Sequence, residues 1–213
     1  MSKNIASIRR DYILKELSEK EINANPFIQF QTWLNEAIEA CVNDPTAMTL
    51  ATSTSDARPS ARIVLLKRIT GRGFIFFTNY QSKKGKQLLE NPFAALVFYW
   101  PELERQIRIE GSVSMLQGHE SDEYFYSRPQ GSKIGAWASP QSRAIPDRSY
   151  LDNMVLRYEK EFASGKIERP EFWVGFCLEP LILEFWQGRA NRLHDRIQYS
   201  KTPAGWQIER LAP

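Results

Sequence analysis

Apolar residues near the start of the chain recur at three- and four-residue spacing. In NPFIQFQTWLNEAIEACVNDP they fall at Phe27, Phe30, Trp33, Leu34, Ala37, Ile38 and Cys41. This spacing predicts an amphipathic α-helix, which the polar run from Asn43 to Pro45 ends. Shorter helices are predicted in YQSKKGKQLLENP, where Ser82 is the expected N-cap, in HESDEYFYSRP and in SYLDNMVLRYEKEFASG.

The remaining apolar segments have the composition of β-strands. AMTLATS, SARIVLLKRI, GFIFFTN, FAALVFYW and RQIRIEGSVSML are rich in Val, Ile, Phe and Thr and are bounded by turn-forming residues. FWVGFCLEP, LILEFWQG, NRLHDRIQYS and GWQIERL close the chain as further strands. Many strands with short helices inserted predict a mainly β fold with helices (α+β), a closed antiparallel barrel. We expect a mobile N-terminal segment over residues 1–25, followed by a single domain over residues 26–213.

Composition narrows the class of protein and its partners. The chain has 213 residues and a formal net charge of +3, which is too mild to indicate a nucleic-acid partner. The N-terminus lacks the apolar core of a signal peptide, and no run approaches the length of a membrane span. We therefore expect a cytoplasmic protein without a membrane or nucleic-acid partner. Cys41 and Cys177 are interpreted as buried free thiols, and the sequence shows no metal-ligand cluster.

The stretch WQGRANRLHDR concentrates three arginines and a histidine next to a predicted strand. If residues 191–199 form a strand, Arg192, His194 and Arg196 share one face, at about 6–7 Å between neighbours. Cations so placed repel one another unless an anion lies among them, and Arg is the preferred bidentate phosphate binder. The alternative is a solvated edge on which Asp195 and Glu184 are the partners.

Two further clusters suggest phosphate sites. Ser82, Lys83 and Lys84 open a helix, where free backbone N–H groups attract anions; the alternative is a capped helix with a solvated basic turn. Tyr124 and Arg128 lie four residues apart on a predicted helix with Ser132 just beyond it; the alternative is an arginine that complements the helix dipole. No nucleophile–base pair is evident, so a flat phosphorylated cofactor is expected to supply the chemistry for a phosphorylated substrate.

Several motifs resemble the pyridoxine (pyridoxamine) 5′-phosphate oxidase family, in order, over nearly the whole chain from about Phe27. They are RIVLLK, FFTNYQSKKGKQ, ERQIRIEG, YFYSRPQGSKIGAW, SPQS, EFWQG, NRLHDR and the terminal WQIERLAP. The resemblance implies an FMN-binding split β-barrel, Greek-key-like and homodimeric, whose two FMN molecules lie in clefts at the subunit interface. It also implies oxidation of pyridoxine 5′-phosphate or pyridoxamine 5′-phosphate to pyridoxal 5′-phosphate, with dioxygen as acceptor and hydrogen peroxide as by-product.

The resemblance also assigns roles to residues. Arg192 and His194 are expected to lie over the substrate ring as the catalytic pair. The residues expected to contact FMN are Arg62, Ile63, Val64, Leu65, Leu66, Lys67, Phe77, Thr78, Lys83, Lys84, Gln106, Gln141, Ser142, Trp186 and Arg196. Those expected to contact the substrate are Lys67, Tyr124, Arg128, Ser132, Arg192, Leu193, His194 and the N-terminal Arg9, Arg10, Asp11 and Tyr12. Lys83 stands where family members commonly have Arg, which replaces a planar fork with a point charge.

Two other classes of protein share parts of this pattern. A split-barrel flavoprotein of another activity, such as a flavin reductase or a haem-handling relative, should lack the set Tyr124, Arg128 and Ser132 and the motif NRLHDR. A non-enzymatic nucleic-acid-binding barrel would use the basic and aromatic residues differently, and it predicts a colourless protein with salt-dependent oligonucleotide binding.

Overall fold

A computed structural model describes residues 4–7, 11–163 and 165–213. Its α-helices are α1 (Pro26–Glu39), α2 (Lys83–Glu90), α3 (Gly118–Ser127), α4 (Gln130–Ala138) and α5 (Arg148–Glu161). Its strands are β1 (Ala47–Ser53), β2 (Pro59–Leu65), β3 (Arg68–Ile69), β4 (Phe74–Asn79), β5 (Phe93–Trp100), β6 (Arg105–Met115), β7 (Trp173–Gln187), β8 (Asp195–Thr202) and β9 (Gly205–Leu211). None of the helices in the described ranges is long and apolar enough to cross a membrane.

The strands form one hydrogen-bonded sheet in the order β2-β1-β5-β6-β7-β4-β3, and β8 pairs with both β7 and β9. The pairing of β4 with β7 is antiparallel, with Thr78 opposite Val174, and so is that of β7 with β8, with Trp186 opposite Arg196. The chain divides into two compact units. The first comprises residues 1–50, 95–111 and 180–213, and the second comprises residues 51–94 and 112–179.

The core of the first unit forms where α1 lays its apolar face on the sheet. Asn25 caps the helix by accepting a hydrogen bond from the N–H of Phe27, and Pro26 occupies its first turn. Phe30 lies 5.0 Å from Phe98 between ring centroids, in an edge-to-face contact, and Trp33 meets Phe185 in the same way at 5.2 Å. The helix predicted from the apolar spacing is therefore confirmed.

The core of the second unit gathers helices α3, α4 and α5 around the start of β7. Phe125, Ile134, Ile167 and Trp173 are all buried there in one cluster. Helix α4 was not predicted from the sequence. Two strands, FWVGFCLEP and LILEFWQG, were predicted where the structure has the single continuous strand β7. Pro180 lies in β7 between the pairing with β4, which ends at Leu178, and that with β8, which begins at Ile182, so neither β4 nor β8 needs its missing N–H.

The two cysteines differ from the expectation that both are buried. Cys177 is buried on β7, and burial raises the pKa of its thiol. Cys41 is exposed, and it follows the end of α1 with its backbone in the left-handed region, at φ of 54°. The interpretation of Cys41 as a buried thiol was therefore wrong.

Candidate active site

A cavity of about 480 Å³ lies in the second unit. Four of its lining residues carry a positive charge and none is Asp or Glu, so the cavity suits an anionic ligand. The cations are Arg62, Lys67, Lys84 and Arg128, and the other lining residues are Ile63, Val64, Leu65, Phe77, Thr78, Asn79, Tyr124, Ser132, Gly135, Ala136, Ser139, Gln141 and Trp173.

Arg62 and Lys84 form one cationic part of this cavity. Arg62, on β2, donates from Nη1 to Thr52 Oγ1 at 2.6 Å and from Nη2 to Ser60 Oγ at 2.5 Å. Lys84 Nζ donates to Thr78 Oγ1 and Gln141 Oε1, both at 3.2 Å. Burial lowers the pKa of Arg62, and burial together with the charge of Arg62 lowers the pKa of Lys84. An anion bound beside both cations would offset this desolvation and repulsion.

The turn from β4 into α2 places Lys84 at that position. The helix begins at Lys83, and Ser82, which is fully buried, accepts the N–H of Gly85 as the predicted N-cap. A Cβ at Gly85 would lie 2.4 Å from Tyr80 Cα, so only glycine allows this tight turn. Lys84 therefore points into the cavity, whereas Lys83 is exposed on the same helical turn.

Arg128 forms a second cationic part of the cavity, near Tyr124 and Ser132. Its guanidinium carbon lies 4.5 Å from the centroid of the Trp173 ring, and burial lowers the pKa of Arg128. Its Nη1 atom is buried and has no hydrogen-bond partner among the residues that the structure describes. A buried donor without a partner is costly and marks a place where an acceptor is missing.

The helical placement of Arg128 differs from the sequence prediction. Helix α3 ends at Ser127, and Arg128 is its C-cap residue with an extended backbone (φ −74°, ψ 150°) because Pro129 follows. Ser132 lies in the first turn of α4. The cavity nevertheless brings Tyr124, Arg128 and Ser132 together, as predicted.

An aromatic cluster in the first unit holds other predicted residues. The ring of Tyr12 meets Trp186 and His194 edge-on, each at 5.7 Å between centroids, and Trp186 lies 4.6 Å from His194. The backbone N–H of Arg189 donates to His194 Nδ1 at 3.1 Å. Burial, followed by the charge of Arg192, lowers the pKa of His194, so the neutral ring with its proton on Nε2 is favoured.

The predicted strand over residues 191–199 is wrong in its first part. Asn191 and Arg192 have φ of 56° and 60° and belong to a short 3-10 turn, so β8 begins only at Asp195. Arg192 and Arg196 therefore do not share a strand face with His194. The left-handed backbone at two consecutive residues breaks the alternation on which the prediction depended.

Arg196 has a carboxylate partner rather than open solvent. Its Nε and Nη2 atoms donate to the two carboxylate oxygens of the buried Glu184, both at 2.9 Å. Asp195 holds Arg189 and Arg210 at 3.1 and 2.6 Å. The alternative interpretation, in which Glu184 and Asp195 are the partners of this arginine-rich stretch, is confirmed for these contacts.

The remaining predicted residues lie outside the lining of the cavity. Leu66 is buried in the core, Gln106 is half-buried on β6, and Ser142, Leu193 and Asp11 are exposed. Arg9 and Arg10 fall outside the described residues. The sequence reading missed five lining residues, namely Asn79, Gly135, Ala136, Ser139 and Trp173. Two of these, Gly135 and Ala136, lie on the missed helix α4, and Ser139 is its C-cap residue.

Comparison with known proteins identifies the family. Residues 34–159 match the family described as "Pyridoxamine 5'-phosphate oxidase". The chain belongs to this family. Residues 173–213 match a second family description, "Pyridoxine 5'-phosphate oxidase C-terminal dimerisation region". The chain is therefore an enzyme, an oxidoreductase of the pyridoxamine 5′-phosphate oxidase family.

Individual relatives agree with this assignment. A "Pyridoxine/pyridoxamine 5'-phosphate oxidase" of Cyanothece sp. is 53% identical over the full length of both chains. One of Cupriavidus taiwanensis is 52% identical over 98% of this chain and 99% of its own.

Solved structures confirm the fold class. PhzG from Burkholderia lata 383, in complex with tetrahydrophenazine-1-carboxylic acid, has a TM-score of 0.88 at 33% identity and covers 94% of this chain and 99% of its own. A pyridoxamine 5′-phosphate oxidase-related, FMN binding protein from Nostoc punctiforme has a TM-score of 0.69 at 17% identity, covering 88% of this chain and 97% of its own, and shares the fold. The predicted mainly β split barrel with helices is therefore confirmed.

Proposed function

We propose that the enzyme is an FMN-dependent oxidase that converts pyridoxine 5′-phosphate or pyridoxamine 5′-phosphate to pyridoxal 5′-phosphate. Dioxygen is the acceptor and hydrogen peroxide the by-product. The observation that carries the proposal is a cavity lined by four cations and no carboxylate, and one of these cations, Arg128, has a buried Nη1 atom without an acceptor among the described residues. The names of relatives about 50% identical to the chain support the same substrates.

The residues around Arg62 and Lys84 fit the phosphate of FMN. Both cations are partly desolvated. Burial is the larger cause of the lowered pKa of Lys84, and the charge of Arg62 lowers that pKa further. A phosphate dianion neutralises such a pair and accepts bidentate hydrogen bonds from Arg. We therefore assign this part of the cavity to FMN, with Phe77, Thr78 and Gln141 beside it.

The residues around Arg128 fit the phosphate of the substrate. Arg128, Tyr124 and Ser132 all line the cavity, and Arg128 carries a buried Nη1 donor without a partner among the described residues. Ser132 lies in the first turn of α4, where the positive end of the helix dipole favours an anion. Lys67 lines the same cavity and adds a further positive charge.

We further propose that the enzyme is a homodimer whose interface completes the site. Trp186, Arg192, His194 and Arg196 all fall within the residues that match the family's dimerisation region. The family resemblance supports FMN clefts at the subunit interface, and we propose that these residues reach the reacting atoms there. The cytoplasmic location stays a prediction from the sequence.

FMN, held by Arg62 and Lys84, would supply the two-electron redox chemistry that links oxidation of the substrate at C4′ to reduction of dioxygen. Pyridoxine 5′-phosphate loses two hydrogens and dioxygen gains them as peroxide; the amine also consumes one water and releases ammonia. The protein residues act by positioning. Arg192 supplies guanidinium donors to substituents of the substrate ring, and neutral His194 supplies its Nε2–H, because its Nδ1 already accepts the N–H of Arg189.

The proposal is tested by aerobic turnover of the purified protein loaded with FMN. We expect pyridoxine 5′-phosphate to give one pyridoxal 5′-phosphate and one hydrogen peroxide per turnover. Arg192→Leu should retain FMN and lose orders of magnitude in kcat/KM, whereas Arg62→Ala should purify with less flavin. A flavin-loaded wild-type protein that forms neither aldehyde nor peroxide would contradict the proposal.

A further inference from the structure

Trp173 is the first residue of β7, and its ring lies 6.1 Å from that of Tyr124 and 4.5 Å from Arg128 Cζ, two of the predicted substrate-binding residues. It is 7% exposed and pairs with Asn79 of β4. Its carbonyl oxygen accepts a hydrogen bond from Arg169 Nη1 at 2.8 Å, and its N–H donates to the carbonyl oxygen of Pro170 at 3.0 Å. These bonds fix the backbone from which the indole ring projects into the cavity.

Three aromatic rings lie nearly parallel beside one another at this point. The Phe77 ring is 5.2 Å from that of Trp173 with an interplanar angle of 10°, and 4.2 Å from that of Tyr124 at 26°. Tyr124 and Trp173 are 6.1 Å apart at 16°. The plane of the Tyr124 ring is therefore set by the other two rings.

A glycine on β7 makes this arrangement possible. Phe77 stands opposite Gly175 in the pairing of β4 with β7. A Cβ at Gly175 would come within 2.8 Å of Phe77 Cε1 and 2.5 Å of Leu116 Cδ1. Because that position carries no side chain, the Phe77 ring can lie across β7 and against Trp173.

The indole ring also supports the guanidinium of Arg128. The Arg128 Cζ atom lies 4.5 Å from the Trp173 centroid and 5.6 Å from that of Phe125. No carboxylate lines this cavity to hold the side chain by an ion pair. The electron-rich face of an indole attracts a cation most strongly when both are desolvated, as they are here.

We propose that Trp173 is a positioning residue for the substrate phosphate. Its ring fixes the Arg128 fork and, through Phe77, the plane of Tyr124, so that the donors of both residues converge in the cavity. This inference rests on the proposed function, because it assigns the phosphate subsite of that same reaction. An aliphatic side chain at position 173 would remove both the flat surface and the attraction to the guanidinium.

The test compares Trp173→Leu, Trp173→Phe and the wild type, each loaded with FMN, in steady-state oxidation of pyridoxine 5′-phosphate. We expect Trp173→Leu to raise KM about tenfold while kcat changes less than threefold, since only phosphate binding is loosened. Trp173→Phe keeps a ring with a weaker quadrupole and should raise KM about threefold. Calorimetric Kd values for pyridoxal 5′-phosphate should rise in the same proportions.

Trp137→Leu is the matched control. Trp137 packs in the same aromatic cluster and donates from Nε1 to the carbonyl oxygen of Glu168 at 2.8 Å, but it does not line the cavity. This variant should lose stability and keep the wild-type KM. If Trp173→Leu does not fold, Trp173→Phe decides the question by its KM alone.

The outcomes separate the inference from the proposed function. A wild-type protein without turnover would refute the proposed function. An active wild type with an unchanged KM in the folded Trp173 variants, or with the same KM rise in Trp137→Leu, would refute the role of Trp173 and leave the proposed function standing.

Discussion

The buried carboxylate of Glu184 binds two arginines at once, and its removal should destabilise the protein measurably. Oε1 accepts from Arg196 Nε at 2.9 Å, while Oε2 accepts from Arg196 Nη2 at 2.9 Å and from Arg108 Nη1 at 3.2 Å. The Glu184 side chain is only 5% exposed. Glu184→Gln keeps the shape, removes the charge and turns an –NH₂ group toward a guanidinium that can only donate.

The size of the loss follows from the exposure of the partners. Removing one member of a fully buried ion pair costs about 3–5 kcal/mol. Arg196 and Arg108 have side chains that are 24% and 41% exposed and can regain water. We therefore expect Glu184→Gln to lower the free energy of unfolding by about 2–3 kcal/mol.

Glu110→Gln provides the matched control. Glu110 also binds Arg108, at 2.7 Å, but its side chain is 43% exposed, and exposed pairs contribute about 0–1 kcal/mol. Urea unfolding of both variants at one protein concentration, with saturating FMN, gives the two losses. The reasoning is refuted if Glu184→Gln lies within about 0.5 kcal/mol of Glu110→Gln.

Three further predictions concern His194, Gly175 and the contact of Glu104 with the N-terminal segment. Burial, followed by the charge of Arg192, lowers the pKa of His194 from its ordinary 6.5, so the folded state favours the neutral ring. The free energy of unfolding should therefore fall as the pH drops below about 6.5. Arg192→Leu should raise the pKa of His194 in an NMR titration, and an unchanged pKa would refute the contribution of Arg192. Gly175→Ala should cost about 1–3 kcal/mol by overpacking Phe77, whereas Gly131→Ala, which meets nothing within 4 Å, should not destabilise; equal losses in urea unfolding would contradict this. Glu104→Ala should speed proteolysis of the N-terminal segment, because the Glu104 carboxylate accepts hydrogen bonds from the backbone N–H groups of Ile13 and Leu14. An unchanged rate of cleavage would show that these two hydrogen bonds do not hold the segment in place.

Local signals in the sequence were sufficient for the helices with caps and clear spacing. The apolar stripe of α1 and the Ser82 cap of α2 depend on residues within a few positions of one another. Helix α4 gave no such signal, because its N-cap residue Pro129 has no side chain that can cap it, and Gly131 and Gly135 lower its helix propensity. Packing of Ile134 and Ala138 in the core stabilises it instead.

The candidate site also contains residues that local motifs predict and residues that only the fold brings together. Arg62, Lys84 and Arg128 could be predicted because cationic and hydroxyl residues cluster in short motifs of the family. Trp173 could not, since its position in the cavity lining depends on rings brought together from β4, α3 and β7. The 3-10 turn at Asn191 and Arg192 was also missed, because strand alternation carries no information about a positive φ.

A crystal structure of the protein grown with FMN and pyridoxal 5′-phosphate tests the central claim most directly. We predict the flavin phosphate beside Arg62 and Lys84, and the pyridoxal phosphate group accepting a hydrogen bond from Arg128 Nη1. Electron density for either phosphate outside this cavity, with Arg128 Nη1 still lacking an acceptor, would contradict the account.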